Sequence, residues 1–206
     1  MSLQAFIPKA FIFSDKLHIR FEVEFGNKNF ILFNKSQNIN IGEYNSKIMK
    51  EIIIYTDGAC KGNPGPGGYG AVLIYKNSRK EISGGFRKTT NNRMELLASI
   101  KALSILKQAC SVELYTDSKY IANAINKNWL KSWKINNWIT SKKEPVKNKD
   151  LWTELDLLLS KHKVIFNWVK GHANNKENEI CDVLASNEAA KKNNSEIDFE
   201  YEKLLK

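Results

Sequence analysis

Asp57 and Asp117 close two matching tripeptides, Tyr55-Thr56-Asp57 and Tyr115-Thr116-Asp117, and each follows an apolar run. If the two runs are parallel neighbours in a sheet, both carboxylates emerge at one end of it, where sheet proteins place chemistry. Either Asp alone is also an ordinary turn or helix cap, as Asp117-Ser118 illustrates. Two further acids stand in apolar-periodic surroundings. Glu95 falls in the first turn of an expected helix, three residues after Asn92, the spacing of a capping box. Asp182 sits mid-helix beside Ile180, Val183 and Leu184 and shares a face with Glu179, as solvated acidic faces do. Clustered carboxylates repel, so a folded chain keeps them apart, protonates them or gives them a cation. Oxygen-only ligands favour Mg²⁺ or Mn²⁺. Two such ions about 3.5–4 Å apart activate a water and stabilise the leaving oxygen in phosphodiester cleavage. Spacing along the chain does not prove that the four acids meet.

The charge balance points to a polyanion. Lys and Arg number 32 against 22 Asp and Glu, a net charge of +10, which suits nucleic acid or an acidic membrane surface. The densest basic stretch, residues 127–149, holds Lys127, Lys131, Lys134, Lys142, Lys143, Lys147 and Lys149 with Trp129, Trp133 and Trp138 between them. Lysines there neutralise phosphates and indole faces pack on sugars or bases; an amphipathic helix with Trp inside and Lys outside reads equally well. His172 lies in the polar run Gly171-His172-Ala173-Asn174-Asn175 and has the pKa range for proton transfer at neutral pH. Residues 62–68, Gly-Asn-Pro-Gly-Pro-Gly-Gly, form a turn-rich loop, but no Gly-Lys-Ser/Thr follows, so it is not a P-loop.

The elements that must position these groups begin at Met49. Residues 1–48 carry seven of the ten Phe, none of the five Trp, and 6 basic against 4 acidic residues, so the rest holds +8 of the net charge. Within them, residues 17–25 alternate apolar and polar as a strand, 26–29 read as a turn, 30–33 as a return strand and 10–13 as a third, a small β-hairpin extension. From Met49 on, strands are expected at 51–56, 69–75, 80–86, 112–116 and 164–169, and helices at 94–107, 119–125, 151–162 and 177–191. Three strands followed by alternating helices and strands make an α/β fold, a mixed five-stranded sheet flanked by helices. The domains are therefore 1–48, a β-rich extension of unassigned role, and 49–206, a catalytic domain. The three Cys, Cys60, Cys110 and Cys181, form no CxxC, so no disulfide framework or zinc site is signalled and a reducing, cytoplasmic setting is expected. No apolar run approaches the length of a membrane span, and the N-terminus lacks the pattern of a secretory signal.

Five stretches in fixed order carry a resemblance. They are the run from Tyr55-Thr56-Asp57-Gly58 through the Gly/Pro loop to Gly70, Thr89-Thr90-Asn91-Asn92-Arg93-Met94-Glu95-Leu96, Thr116-Asp117-Ser118, Trp168-Val169-Lys170-Gly171-His172-Ala173, and Asn178-Glu179 with Cys181-Asp182 and Leu184-Ala185. Over residues 49–192 the chain resembles bacterial ribonuclease HI, the type 1 ribonuclease H. The resemblance implies an endonuclease that cuts the RNA strand of RNA–DNA hybrids with two Mg²⁺ ions, Mn²⁺ substituting, leaving 5′-phosphate and 3′-hydroxyl ends. It makes Asp57, Glu95, Asp117 and Asp182 the metal ligands and catalytic acids, His172 an aid to water activation or product release, and Glu179 an auxiliary acid. Asn63, Asn91 and Asn92 become sugar readers and Thr90 part of a DNA-phosphate pocket. Trp129, Lys131, Trp133, Lys134, Trp138, Lys142 and Lys143 become the basic protrusion that grips the DNA strand. Lys119 departs from the pattern, since relatives often carry Gln there, which removes the support for a sugar contact at that position. A cytoplasmic monomer of DNA replication, with a hybrid duplex as partner and no membrane, completes the expectation. A DNA nuclease or strand-transfer enzyme on the same sheet, and a hybrid-binding module without catalysis, are the alternatives; the basic protrusion argues against the first and the intact acids against the second.

Overall fold

A computed structural model describes residues 30–33, 40–44, 49–171, 173, 175–191 and 196–203. The chain divides into two compact units, 1–48 and 49–206. In the first, β1 (Phe30–Phe33) pairs antiparallel with β2 (Asn40–Tyr44), Leu32 opposite Ile41. The strand expected at 30–33 is there, but its described partner follows it in the chain. Residues 10–13, 17–25 and 26–29 lie outside the described residues.

The second unit is a five-stranded mixed sheet. Its strands are β3 (Lys50–Cys60), β4 (Gly65–Tyr75), β5 (Ser78–Thr89), β6 (Cys110–Thr116) and β7 (Lys163–Trp168), in the order β5-β4-β3-β6-β7. The first three form an antiparallel meander; β6 and β7 run parallel to β3 because helices return the chain between them. The helices are α1 (Asn91–Ser104), α2 (Lys119–Asn126), α3 (Trp129–Ile135), α4 (Lys149–Lys161), α5 (Lys176–Ala190) and α6 (Phe199–Lys203). The fold class read from the sequence is the one observed. Helix α3, inside the basic stretch, and α6 were not among the expected helices.

Alternation along β3 sorts its two faces. Ile52, Ile54 and Thr56 are buried on the side of α1, where Thr56 Oγ1 lies 3.5 Å from Ser99 Oγ. With Met94, Leu97, Ile100, Val112, Leu114, Ile121, Trp152, Leu155 and Phe166 they make the main core. Helix α5 packs on the opposite face, over β3, β4 and β5. No described helix is long and apolar enough to cross a membrane.

Two glycines set how closely the helices approach. A Cβ on Gly58 would stand 2.3 Å from the Glu95 backbone nitrogen, and one on Gly70 would stand 2.4 Å from the Cys181 carbonyl oxygen. Helices α1 and α5 thus rest directly on strand backbone, from opposite sides of the sheet. Gly58→Ala is expected to push α1 outward and to cost about 2 kcal/mol, the usual penalty of overpacking. An unchanged thermal melt would show that α1 has room to retreat.

Buried Arg93, 2% exposed, ties the C-terminal segment to this core. Its Nε and Nη2 donate to Asp198, at 2.6 and 2.7 Å, and both terminal nitrogens donate to Asp150. Thr89 Oγ1 donates to the same Asp198. Each charge has a partner, so the pairing offsets the desolvation that one of them alone would suffer.

Candidate active site

The parallel ladder of β3 and β6 brings the two Tyr-Thr-Asp motifs side by side. Tyr55 is opposite Tyr115 and Thr56 opposite Thr116; the in-register tyrosine rings stack with centroids 4.8 Å apart. Asp57 and Asp117 come next, two residues beyond the tyrosines and on the same face. The sequence suggested that β3 stops at Asp57. Instead β3 continues to Cys60, because antiparallel β4 still pairs with it, Asp57 opposite Gly70, while parallel β6 stops at Thr116. Asp57 therefore lies within a strand, at the point where the neighbouring strand has ended. The chain turns after Asp117 because the Ser118 N–H donates to Thr116 Oγ1. Ser118 then caps α2, its Oγ accepting from Ile121 N–H.

Glu95 reaches this point from α1, on the other side of the sheet. No capping box with Asn92 forms. Thr90 is the N-cap of α1, so Glu95 lies beyond the first turn, and its carboxylate accepts from Asn91 Nδ2 at 2.9 Å and from Ser118 Oγ. Asn91 N–H in turn donates to Asn63 Oδ1 of the Gly-rich loop at 3.2 Å. The loop is shorter than expected, since β4 begins at Gly65. One hydrogen-bonded chain thus links Asn63, Asn91, Glu95 and Ser118. Asn92 is exposed and Thr90 half-buried beside them. Asp182 approaches on α5, its Oδ1 accepting from Ser186 Oγ. Glu179, on the same helix, is exposed, and His172 lies outside the described residues.

The electrostatics are those of crowded acids. Burial pushes Asp57 up to about 8, and the charges of Asp117, Asp182 and Glu95 push the same way, against the Gly58 N–H bond that favours the carboxylate. Glu95 is pushed up to about 7, again by burial and by Asp117, with the Ser118 bond opposing. Asp57 thus feels the charge of each of the other three acids. Among the described residues no three His, Cys, Asp or Glu side chains stand close enough together to hold a metal ion as they are placed. Ionised acids repel, and Asp57, Glu95 and Asp182 each accept from a protein donor. The donor set still fits a hard cation. It is all oxygen, and a divalent ion would remove the penalty that burial now places on the charge of Asp57 and Glu95.

The basic stretch divides. Trp133 packs edge-on against fully buried Trp152, centroids 5.4 Å apart, and Trp138 is half-buried against the same core. Trp129 is exposed, with the Lys127 ammonium over its ring. Lys131, Lys142 and Lys143 are exposed; Lys134 is paired with Asp156 at 2.7 Å. Beside Asp117, the Lys119 ammonium lies 5.3 Å over Trp168, whose Nε1–H donates to the Asp117 carbonyl.

The RNase H family model matches residues 49–190. The chain belongs to the ribonuclease H family. The ribonuclease H of Desulforamulus reducens is 58% identical to it over 165 residues, 80% of this chain and 98% of that protein. The ribonuclease H of Syntrophus aciditrophicus is 64% identical over 141 residues, 68% of this chain and 81% of that protein. Among solved structures, LC11-RNase H1 in complex with RNA/DNA hybrid superposes with a TM-score of 0.52 at 26% identity, covering 66% of this chain and 94% of its own. Family membership makes the chain a nuclease hydrolase acting on the RNA of hybrids. Sequence reasoning missed Ser118 as the partner of Glu95, buried Asn178 beside Asp117, and Arg93. Ser118 had a local signal, its position after Asp117 as a helix cap, whereas Arg93 and Asn178 stood inside the quoted motifs with no role attached.

Proposed function

We propose that the ribonuclease H activity of this chain is carried by Asp57, Glu95, Asp117 and Asp182 holding two Mg²⁺ ions, with Mn²⁺ able to replace them. The supporting observation is the raised affinity of Asp57 for its proton, set first by burial and then by the charges of Asp117, Asp182 and Glu95. When bound, such ions activate a water and stabilise the leaving oxygen. The residues of the chain do the rest. Asp57 and Asp117 hold the centre against the sheet, Glu95 is oriented by Asn91 and Ser118, and His172 moves a proton to or from the reacting oxygens. The products carry 5′-phosphate and 3′-hydroxyl ends. Asn63, Asn91 and Asn92 read the sugars of the RNA strand, whose 2′-hydroxyl separates RNA from DNA, and Thr90 seats a DNA phosphate. Trp129, Lys131, Lys142 and Lys143 meet the DNA strand; Trp133, Trp138 and Lys134 chiefly support the surface that presents them. These groups address backbone and sugars, so cleavage depends little on sequence.

Labelled RNA–DNA hybrid, duplex DNA and duplex RNA, each with and without Mg²⁺, test the proposal. Cleavage confined to the RNA of the hybrid with Mg²⁺ supports it; cleavage of duplex DNA, or binding with no cleavage, refutes it. Replacing Lys131, Lys142 and Lys143 by Gln is expected to raise KM with little change in kcat. It should also flatten the salt dependence of hybrid affinity by about 0.9 log units per decade for each phosphate that is no longer neutralised. Lys134→Gln serves as the control, with a smaller effect. A salt slope unchanged by the triple substitution would remove the basic stretch from the interface.

A further inference from the structure

Asn178, in the first turn of α5, is 2% exposed, and its side chain has no part in the chemistry assigned to the four acids. Its backbone N–H is already satisfied by Asn175 Oδ1 at 3.3 Å, so the helix start does not need the amide. Asn178 Nδ2 lies 3.5 Å from Asp117 Oδ2. That neighbour fixes which way the amide faces, because a flip would set its oxygen against a carboxylate oxygen. Asn178 Oδ1 is then a buried acceptor with no hydrogen-bond partner among the described residues. An unsatisfied buried acceptor is costly and calls for a reason.

The surroundings supply one. Asn178 and Asp182 are one turn apart on the same face of α5, so Asn178 stands between two of the proposed cation ligands. A Cβ on Gly171 would come 2.6 Å from the Asp117 oxygen that Asn178 approaches, so the chain before α5 closes on that oxygen as well. Ionised carboxylates donate no hydrogen bond. A hydrated cation does, since Mg²⁺ and its relatives keep several of their own waters when protein carboxylates bind them.

We propose that Asn178 is a positioning residue of the cation centre, its amide nitrogen holding Asp117 and its amide oxygen accepting from the hydration shell of the divalent ion. The assignment rests on the four-carboxylate proposal. It explains why a polar side chain occupies a buried position where an apolar one would pack at lower cost. Outer partners of this kind orient the ligands and set the affinity for the ion.

The test is calorimetric titration of Mn²⁺ into the full chain freed of metal, with thermal melts alongside. Asn178→Ala is expected to weaken Mn²⁺ about tenfold or more, with the melting temperature of the metal-free protein unchanged or raised because the orphaned acceptor is gone. Asn178→Asp, of the same size, is expected to bind Mn²⁺ more tightly, since an anionic oxygen replaces a neutral one. A space-filling role predicts the reverse: a lower melt for the Ala variant and unaltered affinity in both. Affinities within about twofold of the parent's for both variants overturn the assignment while leaving the carboxylate centre standing. If the Ala variant does not fold, the Asp variant decides alone. A parent chain that binds no Mn²⁺ overturns the carboxylate centre and this assignment together.

Discussion

Asp117→Asn is expected to leave the fold and hybrid affinity close to those of the parent while lowering turnover about 10³-fold, a loss of about 4 kcal/mol in transition-state stabilisation. Asn keeps the shape of Asp and can still accept from neighbouring donors, but it lacks the charge that holds a divalent ion. Among the described residues, the structural work of the Asp117 side chain is one long contact, from Asn178 Nδ2 at 3.5 Å, which an amide oxygen can still accept. The turn that follows it is held by Thr116 and Ser118, and Trp168 bonds to its backbone carbonyl rather than its carboxylate. Single-turnover cleavage of labelled hybrid over a Mg²⁺ series measures the effect. Turnover within about tenfold of the parent's at saturating Mg²⁺ would falsify the ligand assignment.

Asp57→Asn should stabilise the metal-free protein while also removing turnover. The carboxyl of Asp57 is held near 8 in the folded chain, against an unperturbed value of 3.8. Between those values the folded state keeps a proton that the unfolded chain releases, so this residue lowers stability progressively as pH rises from about 4 to about 8. Asn is neutral throughout. The variant is therefore expected to match the parent near pH 4 and to exceed it by about 5 kcal/mol near pH 8, roughly 10–20 °C in melting temperature for a domain of this size. Added Mg²⁺ should narrow the gap, because the cation relieves in the parent what the substitution removes. Melts of both proteins at pH 4, 6 and 8, with and without Mg²⁺, test this. A gap that stays constant with pH would mean that Asp57 ionises freely.

These two residues also mark what the sequence conveyed. The repeated Tyr-Thr-Asp context was enough to suggest adjacent parallel strands with carboxylates at one place, because a strand fixes side-chain direction with a period of two and the two motifs share a register. The mixed five-stranded sheet followed from apolar periodicity in the same way. Strand and helix ends were legible less well. β3 runs past Asp57, β4 takes in part of the glycine loop, and α1 starts at Asn91 under a Thr90 cap. Each boundary was decided by a partner distant in sequence: β4 pairing with β3, β5 with β4, and α1 resting on Gly58.

Residue identity alone fixed the chemistry available here: four carboxylates and no zinc pattern, a surplus of lysine, and glycines where backbone had to come close. Only the tertiary structure decided how those groups are used. It sent Trp133 into the core and left Trp129 outside, neutralised Lys134 with Asp156, gave Glu95 to Ser118, and buried Asn178 beside Asp117. The physical reason is common to all of these. Local sequence sets the direction of a side chain, but burial, pairing and charge depend on neighbours that the chain brings together only by folding.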